Sequence, residues 1–171
     1  LLLTRTDLFA PGRRVVEVAP MRGFEALLRA QPGLDYVSFD LERHAMERGD
    51  ITAMRYATDS VDYFLCFHVL EHIPDAVTAL AEIHRVLAPG GTAVFQVPVD
   101  WSAERTREYD APDPRDVGHV RQYGADFPDH LAWAGFLVTG VSVADTLDDA
   151  TIARFGLSRE PVFLGRKPGH D

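Results

Sequence analysis

The sequence predicts an α/β fold: a Rossmann-like, seven-stranded, mostly parallel sheet with a C-terminal antiparallel strand and helices on both faces. Strand-like and helix-like segments alternate along the chain with short connections, which is typical of parallel βαβ units. The 171 residues, 46% of them hydrophobic and 25% charged, suit one globular domain with a sizeable core. We therefore expect a single domain that spans residues 1–171.

Three predicted strands and one helix occupy the first third of the chain. Residues 15–19 are mostly β-branched and apolar, as in a strand covered on both faces, and residues 24–30 have the amphipathic spacing of a helix. Pro32 and Gly33 end that helix. Residues 36–40 then predict a second strand that ends in an acid, and residues 50–53 predict a short third strand.

The middle of the chain predicts two more strands around a helix. Residues 61–67 are apolar and aromatic, as in a central strand. A helix is expected to begin at Pro74 and Asp75. The Pro-Gly-Gly sequence at 89–91 ends it sharply and leads into a fifth strand at 92–97.

The pattern changes after residue 97. Residues 98–122 contain three prolines and mixed charges, and we expect an irregular substrate or lid segment there, since long irregular segments are commonly functional. A helix is predicted over 123–134. Strands at 136–143 and 161–165 follow with no helix predicted between them, which indicates an antiparallel hairpin that closes the sheet.

Charge and cysteine content exclude several classes of partner. The net charge of −9 would repel a phosphate backbone, so we expect no nucleic-acid partner. The one cysteine, Cys66, excludes an intrachain disulfide, and its apolar neighbours predict a buried, reduced thiol in a cytoplasmic protein. Because no apolar run approaches membrane-spanning length, we expect no membrane partner.

The turn at 19–23 follows the first strand and is the expected ligand-binding turn. In open α/β sheets ligands bind at the carboxyl ends of the strands, where a helix N-terminus offers free N–H groups. Four further segments occur in a characteristic order: Asp-Ile-Thr at 50–52, Phe-His-Val-Leu-Glu-His-Ile-Pro-Asp at 67–75, Val-Leu-Ala-Pro-Gly-Gly at 86–91 and His-Val-Arg-Gln-Tyr-Gly at 119–124. As an ordered set, they resemble the class I S-adenosylmethionine-dependent methyltransferases, and the group called type 11 most of all.

This resemblance implies that the chain binds S-adenosylmethionine and releases S-adenosylhomocysteine. Asp40 follows Glu17 by 23 positions, the spacing at which an acid can hold both ribose hydroxyls. Asp50 matches the acid that accepts the adenine amino group. The cofactor-binding residues that the resemblance implies are Glu17, Ala19, Pro20, Gly23, Asp40, Asp50, Ile51, Phe67 and His68.

Two of these assignments have structural alternatives, and the turn departs from the family pattern. Asp40 could be a solvated acid at a strand end, and Asp50 could simply form a turn. Of the three glycines usual in the family's turn only Gly23 is present, while Pro20 fixes φ and removes a donor. A non-catalytic S-adenosylmethionine-binding or regulatory protein is therefore the alternative to an enzyme.

Histidines supply the candidate catalytic groups. His119 is the first choice for a general base because it titrates near neutrality and follows the lid segment, and His72 is the second. A histidine on a surface loop is the structural alternative for His119. Asp116, Tyr123 and His68 are further candidates, whereas His84 is expected to be structural.

A metal site was considered and is not expected. Residues 68–72 have the H-x-x-E-H spacing of a zinc-binding helix. Pro74, however, disfavours a helix there, and no acidic third ligand is placed as such sites require. The expected function is S-adenosylmethionine-dependent methyl transfer to a small-molecule acceptor. We expect a cleft that is either open, or completed by residues 98–122 or by a second subunit of a homodimer. A nicotinamide dehydrogenase is a distant third, since G-x-G-x-x-G is absent.

Overall fold

The structure is a computed structural model that describes residues 5–42, 45–114 and 117–169. In chain order its elements are β1 (Arg14–Val18), α1 (Arg22–Arg29), β2 (Asp35–Asp40), β3 (Glu47–Arg48), β4 (Val61–Phe67), a 3₁₀ turn (Leu70–His72), α2 (Ala76–Val86), β5 (Leu87–Gln96), β6 (Val99–Asp100), β7 (Arg107–Asp113), β8 (His119–Gly124), α3 (Phe127–Trp133), β9 (Leu137–Val141), a second 3₁₀ turn (Val143–Asp145), α4 (Asp149–Phe155) and β10 (Val162–Arg166).

Seven strands form the main sheet in the order β3-β2-β1-β4-β5-β10-β9. The pairs among β1 to β5 are parallel, while β10 runs antiparallel to both of its neighbours. The strand order reverses between β1 and β4. Strands β2 and β3 follow β1 on one side of the sheet, and β5 follows β4 on the other side. The predicted fold class is confirmed.

Helices cover both faces of this sheet. Leu28 of α1 packs with Tyr36 and Leu65 in one buried cluster. On the opposite face α2 and α3 contribute Ile83 and Phe127 to a larger cluster. The buried residues of α2 recur three or four positions apart, which is why this segment is helical, and the Asp75 carboxylate caps it by accepting a bond of 2.9 Å from the Thr78 N–H.

Two predicted boundaries near the sheet were wrong. The third strand is Glu47–Arg48, whereas residues 50–53 form a turn closed by the Ala53 N–H and the Asp50 carbonyl. Helix α2 passes directly into β5 at Leu87, so residues 89–91 do not separate the two elements. They form an irregularity inside the strand, where a Cβ on Gly91 would lie 2.8 Å from the Ala88 carbonyl oxygen.

The predicted irregular backbone at 98–122 was also wrong, because its described part contains a small sheet. Strand β8 lies between β6, to which it is parallel, and β7, to which it is antiparallel. Residues at alternate positions of β8 are buried: His119, Arg121 and Tyr123. Two of these three, His119 and Arg121, are polar residue types that are usually exposed, so the apolar residues alone do not show the period-two pattern of the strand.

Two helix assignments in the C-terminal third were wrong as well. Tyr123 belongs to β8, so the predicted helix over 123–134 begins only at Phe127. Helix α4 lies between β9 and β10, where no helix was predicted. Its signals are present in the sequence: Asp148 caps its N-terminus, and Gly156 ends it in the left-handed conformation. None of the described helices is long and apolar enough to cross a membrane.

Candidate functional site

The carboxyl ends of β1, β2 and β4 meet at one edge of the main sheet. Val18 pairs with Phe39 on one side and with Cys66 on the other. The residues that follow these three, namely Ala19, Asp40 and Phe67, are therefore adjacent. Because the strand order reverses between β1 and β4, this edge is the switch point where open α/β sheets bind ligands.

The turn after β1 begins with a residue in the left-handed backbone conformation, which glycine adopts most easily. Ala19 has a φ of +51°, in the left-handed region, and its N–H donates to the Phe39 carbonyl over 2.9 Å. A side chain makes this conformation costly, by about 1 kcal/mol or more. Ala19 therefore adopts a backbone conformation that glycine would reach without this cost.

Glu17, near the end of β1, is a buried acid below the turn. Its carboxylate is 1% exposed and accepts hydrogen bonds from the Tyr36 hydroxyl and the Met21 N–H. Burial raises the pKa of Glu17 above its ordinary value, although these two donors oppose the shift. The structure thus places Glu17 under the crevice, as a support for the turn.

The rest of the turn faces solvent. Pro20 is half-buried, Met21 is 49% exposed, and Gly23 lies in the first turn of α1. A Cβ on Gly23 would meet nothing within 4 Å, so the fold itself does not require glycine there.

Asp40 occupies the end of β2 next to this turn. It is 8% exposed, and its Oδ1 accepts a bond of 2.8 Å from the Glu42 N–H. This bond fixes the carboxylate at the strand end. The alternative of a freely solvated acid is wrong, because Asp40 is buried and oriented.

Asp50 and Ile51 lie beyond β3, near an open pocket of about 770 Å³. Asp50 forms a turn, in which its Oδ1 accepts bonds of 2.8 and 2.7 Å from the N–H and hydroxyl of Thr52. The Ile51 side chain is buried in the core, so only its backbone could face a ligand. The residues that line the pocket include Leu41, Arg48, Gly49, Asp50, Arg55 and Tyr56.

Phe67 and His68 end β4 on the other side of the Ala19 turn. The Phe67 ring meets Phe24 of α1 edge-on, with ring centroids 5.9 Å apart. His68 has a φ of +54° and donates its N–H to the Gln96 carbonyl over 2.8 Å. Its side chain is half-exposed, and the neighbouring Glu71 carboxylate raises the pKa of the imidazole.

His72 and His119, 47 residues apart in sequence, are brought together. Their rings lie at 77° to one another, with centroids 4.7 Å apart. His119 is 8% exposed and begins β8, so its alternative as a histidine on a surface loop is wrong. Glu71, on the same 3₁₀ turn as His72, is 1% exposed and completes a group of three titratable side chains.

The structure gives different outcomes for the other catalytic and structural candidates. Tyr123 is 2% exposed, and burial raises the pKa of its hydroxyl, which makes it a poor base. Asp116 lies outside the described residues. His84 packs edge-on against Phe136, and burial lowers its pKa, as expected of a structural histidine. Cys66 is a buried free thiol, as predicted.

Arg121 is the residue that sequence reasoning missed. It is 4% exposed, and its guanidinium donates to the carbonyls of Leu70, Ile73 and Pro74 over 2.5 to 2.9 Å. A further bond of 2.8 Å joins it to Glu108 on β7. Arg121 therefore fixes the segment that carries Glu71 and His72 against β8. Its position two residues after His119 was the available signal.

Comparison with known proteins identifies one family whose model matches the part of the chain that contains β1, β2 and β4. A family model described as a methyltransferase domain matches residues 8–95. An uncharacterized methyltransferase of Mycobacterium sp. (strain JLS) is 32% identical over 106 residues, which are 55% of this chain and 42% of that protein. The chain thus spans less than half of the length of this relative.

Two solved structures have the same fold. A methyltransferase from Mesorhizobium loti, described as S-adenosylmethionine-dependent, superposes with a TM-score of 0.65 at 19% identity and covers 91% of this chain and 90% of its own. A chain from the complex between the Haloferax volcanii Trm112 methyltransferase activator and a methyltransferase also gives 0.65, at 19% identity, with 92% and 84% covered. At these identities the likeness concerns the fold.

Proposed function

The chain belongs to the methyltransferase-domain family, and from this premise we propose that it transfers a methyl group from S-adenosylmethionine to a small-molecule acceptor. The observation that carries the proposal is the register of β1, β2 and β4. It brings the Ala19 turn, Asp40 and the end of β4 together at the switch point of the sheet. Bound cofactor would supply an electrophilic sulfonium methyl.

Asp40 is the proposed partner of the ribose. Its carboxylate is held at the end of β2 by the Glu42 N–H, beside the turn that follows β1. A carboxylate has two oxygens with about four acceptor positions, a chemistry suited to hydrogen bonds from the two hydroxyls of a ribose. The adjacent backbone of Ala19 and Pro20, shaped by the left-handed φ at Ala19, is the proposed seat of the methionine moiety.

The adenine is proposed to lie at the β3 end of the edge. Asp50 uses one oxygen for its own turn, which leaves the other as the acceptor for an amino group. Leu41 and Asp50 line the open pocket there, and the backbone of Ile51, the residue after Asp50, is proposed to lie beside the ring. Phe67 and His68 lie at the opposite end, where the ammonium of the methionine moiety is expected.

The acceptor side is proposed to lie beyond His68, between the 3₁₀ turn and β8. His72 and His119 would face the acceptor there, and the small sheet of β6 to β8 would form the wall that was expected of residues 98–122. Methyl transfer depends mainly on alignment of the acceptor with the sulfonium and on exclusion of water. A rigid wall serves both requirements.

A non-catalytic protein that keeps the fold remains the second candidate, favoured by the unusual Ala-Pro-Met turn. Its main argument is weakened, since Ala19 adopts the left-handed conformation that glycine favours and Met21 is 49% exposed. Both candidates predict cofactor binding, and only the enzyme predicts turnover.

Thermal unfolding and mass spectrometry test the proposal. We expect S-adenosylhomocysteine to raise the unfolding temperature of the 171-residue chain, because a ligand that binds only the folded state stabilises it. NADH serves as the control nucleotide and should have no effect. Stabilisation by NADH alone would overturn the proposal in favour of a dehydrogenase.

Turnover is measured separately. Small-molecule extracts incubated with the chain and S-adenosylmethionine should contain a compound that has gained one methyl group. Cofactor binding without any methylated product would favour the non-catalytic candidate.

A further inference from the structure

Three potential metal ligands from distant parts of the chain converge beside the end of β4. Glu71 and His72 lie on the 3₁₀ turn, and His119 begins β8. One ligand atom from each side chain lies within 4.8 Å of the other two. We propose that Glu71, His72 and His119 bind a divalent first-row transition metal ion, contrary to the expectation that the chain has no metal site.

The buried carboxylate of Glu71 is the strongest reason for a cation. Glu71 is 1% exposed, and within the described residues neither of its carboxylate oxygens has a hydrogen-bond donor. A buried charge without a partner is costly, so buried carboxylates are normally paired, hydrogen-bonded or bound to metal. A cation between Glu71 and the two imidazoles would supply the missing partner.

Nearby basic groups do not fill this role. His68 Nδ1 lies 3.4 Å from Oε1 of Glu71, longer than an ordinary N–H···O hydrogen bond, and its side chain is half-exposed. Arg121 is close in the fold, but its donors go to three main-chain carbonyls and to Glu108. The structure thus places a permanent cation next to the cluster and directs it away from Glu71.

The same contacts make the cluster rigid. Arg121 holds the carbonyls of Leu70 and Ile73, which flank Glu71 and His72, against the strand that carries His119. The His72 N–H donates to the Val69 carbonyl over 2.9 Å and closes the turn. Metal sites depend on supporting bonds that fix their ligands before the ion binds.

The donor set indicates the kind of metal. Two imidazoles and one carboxylate suit zinc or another first-row transition ion, whereas calcium and magnesium prefer oxygen ligands. Metal–ligand bonds of about 2.0–2.2 Å place the ligand atoms about 3–4 Å from one another around one ion. Small side-chain movements would therefore bring the three ligand atoms, now within 4.8 Å of one another, to bonding distance from a shared ion. Three protein ligands leave at least one coordination position open.

The open position suggests how the site would act, a step that rests on the proposed methyl transfer. A hydroxyl oxygen of the acceptor could bind there, and the metal would lower its pKa so that it attacks the methyl group as an alkoxide or phenolate. The proton would go to solvent. As the new oxygen–carbon bond forms, the bond from the methyl carbon to sulfur would break, and S-adenosylhomocysteine would leave with its electron pair. His72 and His119 would then be ligands, in place of the general-base role expected from the sequence.

Calorimetric titration of the EDTA-treated 171-residue chain with Zn²⁺ is the direct test, with Mg²⁺ titrated in parallel. We expect one Zn²⁺ per chain, much tighter than Mg²⁺. The variants His72→Gln and His119→Gln should each weaken Zn²⁺ binding by 10- to 100-fold or more. His130→Gln is the matched control, because His130 also lies beside a carboxylate, 3.5 Å from Asp126, but outside the cluster.

The variant Glu71→Gln distinguishes a role of Glu71 as a metal ligand from a purely structural role. Without metal, this change removes a buried unpaired charge and should leave the unfolding temperature unchanged or higher. With Zn²⁺, the wild type should gain stability and the variant should not. With Co²⁺, only the wild type should show the visible absorption of a nitrogen- and oxygen-ligated ion.

Two results would overturn the metal site: wild type that binds Zn²⁺ no better than His119→Gln, or His130→Gln that loses as much affinity as His119→Gln. Stabilisation by S-adenosylhomocysteine, measured without Zn²⁺, is independent of this test. Absence of Zn²⁺ binding together with stabilisation by S-adenosylhomocysteine would therefore reject the metal site alone. Zn²⁺ binding without stabilisation by S-adenosylhomocysteine would reject the proposed function alone.

Discussion

The two sides of the crevice are built in different ways. The proposed cofactor side consists of strand ends that are neighbours in a parallel sheet, so Ala19 and Asp40 are placed by main-chain register. The proposed acceptor side consists of a 3₁₀ turn and a strand from a separate small sheet, joined mainly through the side chain of Arg121, with a longer bond of 3.5 Å from the Tyr123 hydroxyl to the Leu70 carbonyl. One side therefore depends on backbone pairing, and the other depends on buried side chains.

The largest effect is expected from Arg121→Met, which breaks the acceptor side. Three main-chain carbonyls would lose their charged donor, although the Leu70 carbonyl keeps the Ile73 N–H. Hydrogen bonds to a charged group contribute about 1 kcal/mol or more each, so unfolding should become easier by about 3 kcal/mol. Denaturant unfolding measures this loss.

Arg159→Met provides the matched control, because the 2.8 Å ion pair of Arg159 with Asp149 is exposed and should contribute little. Equal destabilisation by the two changes would show that Arg121 does not hold the acceptor side together.

Asp40→Ala is the next largest change and addresses the cofactor side alone. Loss of charge-assisted bonds to the ribose should cost about 1.5–3 kcal/mol, or roughly ten- to hundredfold in affinity for S-adenosylhomocysteine. Calorimetry measures the difference. Asp35→Ala, at the exposed start of the same strand, should bind as the wild type does. Equal affinity of the Asp40 variant and the wild type would remove Asp40 from the site.

A smaller effect tests the backbone of the cofactor side. Ala19→Gly relieves a left-handed alanine, so the free energy of unfolding should stay the same or rise by up to about 1 kcal/mol. Ala81→Gly, in the exposed middle of α2, should lower it by about 1 kcal/mol. Chemical denaturation of both variants gives the comparison. If both glycines destabilise equally, the turn at residue 19 is not strained.

The smallest effect concerns the loop beside the adenine end. Arg85 donates to the Tyr56 and Met54 carbonyls and pairs with Glu82 at 2.6 Å, which holds the pKa of the Glu82 carboxyl below its ordinary value. Because the pKa of Glu82 is lower in the folded than in the unfolded protein, its pairing with Arg85 stabilises the fold at pH values above the unfolded pKa. This stabilisation is lost as the pH falls through the folded pKa.

Glu82→Gln should therefore cost about 0.5 kcal/mol at pH 7, with partial exposure taken into account. The difference from the wild type should disappear in acid. Denaturant unfolding of both proteins at several pH values measures it, and a difference that persists at low pH would show that the charge of Glu82 is not its source.

The contrast between the two sides also explains which predictions succeeded. Residues 61–67 were assigned correctly because a buried central strand has a strong apolar signal over its whole length. Strand β8 was missed because its buried positions include His119 and Arg121, whose burial depends on partners far away in sequence. The two-residue β3 is too short to have any periodicity of its own, so its position shifted.

By itself, the sequence determined the fold class and the position of Asp40 at the end of the second strand, because these depend on hydrophobic patterning and strand ends that are local along the chain. Only the tertiary structure decided that His119 joins Glu71 and His72, since their approach requires the small sheet to pack on the 3₁₀ turn through Arg121. The turn at Ala19 was settled in the same way. Its left-handed backbone follows from the pairing of β1 with β2 and from the buried carboxylate of Glu17 beneath it, neither of which its own residues reveal.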